Sequence, residues 1–412
     1  MNQPTNQPAN QPANQPTLFN VVASAMGFRL LTDTAVQFVF PYLPLLAAGL
    51  GVSIIEIGWL LSVRAIVGLS SPLFGWLAEN RGYRTVMRIG MLLSGFGLII
   101  FATSIGLPMA ALGMALMGLG STAFVPTLFA WASALLPFNQ RSKGLGAIEL
   151  SWALAGMLGV PLIGFGIASF GWRPPLIVLG GLLLAASFII GRLPGRSDAQ
   201  HAQAESDSKK AGPQQAVPFF DLGANRVSAW AVIIGAGLIS FANIHTFSVY
   251  AQWLVDLYPL DEVGLAWVAF TMGTAELVSN LGISFFGDKI GPLRGTKIAV
   301  IGAAIFFALL YVAQGLGFFI FLGSFFIARY FMENAFVNNI ILVSEQTPEH
   351  RAKSLTFMSM ASTIGFTVAA WSGPRAYTGL GPIGLIVPSV IVFGVIWLSM
   401  QQFAQEKGDL AA

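Results

Sequence analysis

The chain has 412 residues, of which 55% are hydrophobic and only 9% charged; its net charge is +3 and it contains no cysteine. Soluble proteins carry about 25% charged residues, so this composition excludes an ordinary soluble protein and fits a chain whose surface mostly faces lipid. The missing cysteines exclude disulfides, iron–sulfur clusters and thiolate metal sites. The basic residues recur in short bursts between apolar stretches, not in the single patch that a nucleic-acid partner requires.

Residues 1–17, MNQPTNQPANQPANQPT, form a degenerate repeat with proline at every fourth position and no charge. Such a segment buries no surface and is expected to be a disordered tail; with no basic start and no cleavage site it does not read as a signal peptide. A membrane-spanning helix needs about 20 mainly apolar residues, and the first such span is expected over 18–40. It carries Arg29, Asp33 and Gln37 at spacings of four, hence on one helical face. Arg29 and Asp33 are placed to pair. The second span, 54–77, carries Arg64, expected to compete for Asp33; Arg29 and Arg64 together suit an anionic or polar substrate group. The stretch Gly75-Trp-Leu-Ala-Glu-Asn-Arg-Gly-Tyr-Arg84 follows.

Spans are expected at 86–105, 107–130, 144–169 and 174–191. The fifth begins near Glu149, where gating or packing is the expected role, and continues as Gly156-Met-Leu-Gly-Val-Pro161-Leu-Ile-Gly164, small residues and a proline suited to a bendable, closely packed helix. A polar linker is expected over 192–225. Six further spans are expected at 226–255, 262–286, 296–314, 317–343, 352–377 and 382–403, leaving a tail at 404–412. The seventh offers Asn243, Thr246 and Tyr250 along one face with His245 beside them, candidates for contact with substrate. The eighth carries Glu276 with no basic residue within a turn, so this carboxyl group is the leading candidate for carrying a proton. The tenth carries Arg329 and Glu333, a second candidate intrahelical pair.

An internal repeat divides the chain at the linker. Glu79-Asn-Arg-Gly82 recurs as Asp288-Lys-Ile-Gly291, and Arg141-Ser-Lys143 as Arg351-Ala-Lys353, each offset by about 210 residues. With both termini on one side, that side holds nearly all loop Lys and Arg, from Arg81, Arg84 and Arg88 to Lys297, Lys353 and Lys407, while the other holds Arg173 and Arg375. Positive residues stay inside, so both termini and the linker are expected in the cytoplasm, in a bacterial cytoplasmic (inner) membrane.

The stretch from Gly75 to Arg84 resembles the loop signature of the major facilitator superfamily: Gly75, Leu77, Gly82 and Arg84 match, whereas Glu79 replaces the usual Asp. Ser284 to Arg294 is a weaker copy with Asp288, Lys289 and Gly291 in place, and the fifth span, through Gly156, Pro161 and Gly164, partly resembles the motif of proton-driven exporters. The fourth span lacks the arginine that drug–proton antiporters of this kind usually carry. The resemblance implies an all-α membrane protein of twelve transmembrane helices in two pseudosymmetric six-helix bundles, 18–191 and 226–403, around a central cavity. It further implies a cytoplasmic gate formed by Gly75, Glu79, Gly82, Arg84, Asp288 and Gly291.

The function expected from these features is secondary transport by alternating access, with efflux of a small polar or amphipathic organic molecule coupled to protons at Glu276, Asp33 or Glu333. Arg29, Gln37, Arg64, Asn243, His245, Tyr250 and Arg329 are expected to bind substrate. Two alternatives stay open: import of a small, perhaps anionic, solute by proton symport or uniport, and a transporter-like receptor or assembly factor that moves nothing. The chain has no GxxxxGK[ST] loop, three histidines and no GxSxG elbow, so neither ATP hydrolysis, a zinc site nor a catalytic role is expected. No cofactor or metal is expected, a proton gradient is the expected energy source, the partners are substrate and lipid, and the working unit is expected to be a monomer.

Overall fold

A computed structural model of the chain describes residues 18–136, 138–193, 222, 225–346 and 351–405. The tail at 1–17 and most of the linker and of the C-terminal tail lie outside the described residues. All regular structure among those described is helical, arranged as twelve rods. In the first bundle these are α1 (Leu18–Gln37 and Val39–Leu50), α2 (Ile54–Ile66, Val67–Ser70 and Ser71–Arg81), α3 (Tyr83–Ala102), α4 (Leu107–Leu135), α5 (Phe138–Leu154, Ala155–Gly159 and Val160–Phe170) and α6 (Arg173–Ile190). In the second they are α7 (Arg226–Phe247 and Tyr250–Leu257), α8 (Glu262–Ile290), α9 (Pro292–Ala313), α10 (Phe318–Gln346), α11 (Arg351–Leu380) and α12 (Pro382–Phe403). Nine are long and apolar enough to cross a membrane, and the bent α1 makes a tenth. The other two, α8 and α11, are full-length but richer in charged, hydroxyl and glycine residues. They are the rods of the second bundle that meet α5 and α2 of the first, so less of their surface needs to suit lipid.

Several rods run longer than the sequence suggests and are interrupted for local reasons. Proline lacks the N–H that would donate to the carbonyl four residues back. Pro41 withholds that bond from Gln37, where α1 bends by 49°. Pro72 withholds it from Gly68, inside the 3-10 turn of Val67–Ser70. Pro161 withholds it from Met157, inside the π-turn of Ala155–Gly159. Side chains of α1 cover the carbonyls flanking that turn: Gln37 donates to Trp152 O at 2.9 Å and Tyr42 to Val160 O at 3.0 Å.

Within bundles, small residues let backbones meet. A Cβ on Gly97 of α3 would stand 2.6 Å from the Met117 nitrogen of α4, and one on Gly365 of α11 would stand 2.0 Å from the Gly237 carbonyl of α7. The two repeat loops have one geometry. Gly82 (φ 84°, ψ 149°) and Gly291 (φ 80°, ψ 148°) each end one rod and start the next, a left-handed conformation that glycine adopts without a Cβ clash.

Among the described residues the close bundle-to-bundle contacts lie in one half of the molecule, away from the Gly82 and Gly291 turns. There a Cβ on Gly58 of α2 would stand 2.5 Å from the Ala370 carbonyl of α11, and Ser62 donates to Thr367 O at 3.0 Å. Gly273 of α8 abuts the Met157 backbone of α5, and Phe165 meets Trp267 with ring centroids 6.2 Å apart. Toward the turns, which form the basic end, the same rods separate. A Cβ on Gly75 of α2 or Gly146 of α5 would meet nothing within 4 Å. Between α2, α4 and α11 lies a cavity of about 490 Å³. Among the described residues the fold is therefore open at the basic end and closed at the other.

Candidate functional site

Two charge clusters face the junction between the bundles, one from each. In the first, Arg29 donates through Nε to Asp33 at 3.1 Å and through both terminal nitrogens to Glu149 at 2.6 and 2.9 Å, while its guanidinium lies 4.8 Å from the centre of the Phe129 ring. The Arg29–Asp33 pair expected from the spacing is formed. Glu149, expected to gate or pack, is the bidentate partner of Arg29, and its side chain is 55% exposed, whereas Arg29 and Asp33 are buried. Gln37 is spent on the π-turn of α5, as described above.

In the second cluster Arg329 of α10 binds Glu276 of α8 through Nε at 2.9 Å and again through a terminal nitrogen, and donates to Asn243 Oδ1 of α7 at 2.6 Å. This corrects two expectations. Glu276 is not unpaired, because an arginine from another rod reaches it. Arg329 forms no ion pair with Glu333, which accepts from Asn280 of α8 at 3.3 Å instead. One oxygen of Glu276, Oε2, has no hydrogen-bond partner among the described residues, and the Trp152 side chain of the first bundle stands beside that carboxylate.

Arg64 departs from expectation. It does not reach Asp33; it donates to the Val36 carbonyl of α1 at 2.7 Å and lies over the Phe40 ring, 5.7 Å from its centre. Phe40 packs on Phe247 of α7 with ring centroids 5.0 Å apart, and Phe247 lies under Arg329 at 4.5 Å. An aromatic bridge thus joins a cation of each bundle at the inner limit of the closed half. Tyr250 stacks on Phe247 at 4.8 Å and is buried, so it forms part of this plug. His245 does not face the junction. Its ring nitrogens are 2.9 Å from Ser372 Oγ and 3.0 Å from Gly384 O, both in its own bundle, and its ring stacks on Phe241. A histidine satisfied on both edges ties α7 to α11 and α12. Thr246 likewise turns to Ser389 of α12 and does not share the face of Asn243.

The helix-5 motif sits where α1, α5 and α8 meet. A Cβ on Gly156 would approach Gln37 and Gly273, and one on Gly164 would collide with the Tyr42 hydroxyl. At the expected gate, Gly75 lines the open cavity. Arg84 Nε is buried without a hydrogen-bond partner among the described residues, and the side chains of Glu79 and Asp288 lie outside them. Sequence reasoning missed Trp152, Phe40 and Phe247; among 33 Phe and 10 Trp nothing in the sequence singles them out.

The family model of the Major Facilitator Superfamily matches residues 24–370. This chain belongs to that superfamily. It is 27% identical over 374 residues to the uncharacterized MFS-type transporter YwfA of Bacillus subtilis, a match covering 89% of this chain and 87% of that protein. It is 28% identical over 291 residues to the multidrug resistance protein MdtG of Serratia proteamaculans, covering 64% of each. Among solved structures it resembles a D-xylose–proton symporter, with TM-score 0.75, 17% identity and 95% and 98% of the two chains covered. It also resembles a bacterial homologue of the human lysosomal transporter Spinster in an inward-facing, occupied conformation, with TM-score 0.69, 12% identity and 94% and 96% covered. At these identities the solved structures speak for the fold alone. The chain is a multi-pass membrane transporter and not an enzyme.

Proposed function

We propose that this transporter exports a small polar or amphipathic organic molecule in exchange for protons, by alternating access at the junction of its two bundles. The reading rests chiefly on one arrangement: four carboxylates, Asp33, Glu149, Glu276 and Glu333, gathered with Arg29 and Arg329 where the bundles meet, below a closed half and above an open one. Charges at membrane depth cost several kcal/mol and serve ion or substrate traffic as a rule, and transporter sites of this kind lie between repeats near the midplane. Export is favoured by the similarity to MdtG over part of the chain and by the glycine–proline pattern of α5. The basic end is read as cytoplasmic on the distribution of Lys and Arg, which puts both termini inside and makes the present state inward-facing. Both clusters belong to one chain, so a monomer suffices as the working unit.

In the cycle proposed, solute enters from the basic end and the rods close behind it about the glycine contacts and the bends of α1, α2 and α5. The far half opens, the solute leaves, and a proton taken up by the carboxylates favours the return. Coupling requires only that proton and solute bind the two states unequally. Glu276 is the carrier in the sealed pair, with half-buried Glu333 beside it; Asp33 and Glu149 release protons at the open end. The reading is tested with purified protein in liposomes carrying a trapped pH dye and an imposed pH gradient, to which amphipathic cations, organic anions or sugars are added. One solute class is expected to speed collapse of the gradient by moving against the proton, and Glu276→Gln is expected to abolish this. Solute moving with the proton would replace export by symport, and movement of solute without protons would replace it by uniport.

A further inference from the structure

Among the described residues, each buried arginine of the junction has a carboxylate partner except one. Arg29 has Asp33 and Glu149, and Arg329 has Glu276. Arg64 is 5% exposed, yet among the described residues it forms no ion pair, and its hydrogen bonds stop at the Val36 carbonyl. A buried guanidinium carries five N–H donors and is costly without a counter-charge. The Arg64 guanidinium is turned to α1, and the residue itself lies one helical turn beyond the lining of a cavity. The 490 Å³ cavity is open toward the basic end and has its inner limit at Gly68, Thr122 and Thr363. Gly68 is one helical turn from Arg64 along α2, and Thr122 is one turn from Gly118, whose added Cβ would touch the Arg64 carbonyl. Thr356 and Ser359 add hydroxyls, while Phe74 and Met360 add apolar surface.

We infer that Arg64 is the anchor for an anionic headgroup, and that the substrate is an amphipathic organic anion whose body lies in the cavity between α2, α4 and α11. This rests on the transport reading above and deepens it. A cavity of this volume suits a small organic molecule, and a guanidinium suits a carboxylate or phosphate through paired N–H donors. The anchor stands apart from the carboxylates, which already have their own partners, so anion and proton occupy different sites and are coupled through the change of state. An inside-negative membrane potential favours the exit of an anion, which agrees with export.

The test measures thermal stabilisation of the purified transporter in detergent by three compounds that share one body: phenylbutyrate, phenylbutyramide and phenylbutylamine. The carboxylate is expected to stabilise and the other two are not. In Arg64→Gln the half-saturating carboxylate concentration is expected to rise at least about tenfold, the scale of one charge-assisted contact. Arg64→Lys keeps the charge without the paired geometry and is expected to fall between. Melting without ligand shows whether each variant is folded; should Arg64→Gln fail to fold, the wild type and Arg64→Lys decide. The assignment is overturned by stabilisation by the amine, by equal stabilisation by all three, by none from the carboxylate, or by carboxylate binding unchanged in a folded Arg64→Gln. Failure here alongside solute-driven proton movement in liposomes leaves the transport reading standing. Binding through Arg64 without such movement removes proton coupling and keeps the anion site.

Discussion

The two charge clusters use the same chemistry and differ in one member: Arg29 and Asp33 are as buried as Arg329 and Glu276, but Glu149 is exposed. Around Arg29 the carboxylates come from α1 and α5, and Glu149 opens onto the vestibule with a side chain 55% exposed. Around Arg329 they come from α8 and α10, and the Arg329 and Glu276 side chains are 4% and 3% exposed. An ion pair at the edge of water contributes little to stability because water already solvates its charges. A sealed pair stands or falls together, since loss of one member leaves a buried charge. On the proposed reading the clusters take distinct tasks: the first exchanges protons and solute with the open side, and the second holds charge where only a change of state can expose it.

Substitutions can break this comparison, and the largest effect is expected in the sealed cluster. Glu276→Ala leaves Arg329 with only Asn243 and should cost about 3–5 kcal/mol in the thermal unfolding of the purified protein. The double variant Glu276→Leu with Arg329→Met should recover most of that loss while transport stays absent. A double variant as unstable as the single one would mean that the pair is not isolated from water. Next in size is Asp33→Asn. Arg29 keeps Glu149, so the loss should be about 1–2 kcal/mol, read by the same melting. Glu149→Gln should change stability by no more than about 1 kcal/mol and yet impair coupling, because it removes the exposed carboxylate and not the scaffold. A drop as large as that of Glu276→Ala would erase the contrast between the clusters. The smallest expected effect on stability is at the open end. Nothing lies within 4 Å of a Cβ on Gly75, so Gly75→Leu should leave melting unchanged or raise stability by up to about 1 kcal/mol through helix propensity. Turnover in liposomes should nevertheless fall, because α2 and α11 must approach there to close the basic end. The chain has no cysteine, so single cysteines at positions 149 and 276 sharpen the same comparison: a small thiol reagent should label the first rapidly and the second only in a state not seen here.

The fold was legible because lipid imposes length and apolarity on each span, and because the Glu79–Gly82 and Asp288–Gly291 loops repeat with the same positive-φ turn. The Arg29–Asp33 pair was legible because helical spacing alone brings the two together. The partners of Glu149 and Glu276 were not, since they lie 120 and 53 positions away and helix packing, not periodicity, selects them. The same competition undid the Arg329–Glu333 pair, where spacing permitted a contact that the facing carboxylate won. His245 looked free because the glycine carbonyl and serine that satisfy it sit on α11 and α12. The isolation of Arg64 was equally hidden, for a sequence shows which partners exist and not which way a side chain turns.

The central claim is that protons move through the sealed cluster when solute crosses the membrane. It is tested most directly by loading liposomes with the effective solute, with no initial pH difference, and following internal pH as the solute leaves through wild-type protein, Glu149→Gln or Glu276→Gln. The account predicts internal acidification with the wild type, slower acidification with Glu149→Gln, and solute binding without any pH change with Glu276→Gln. Proton movement by Glu276→Gln at the wild-type rate would contradict it.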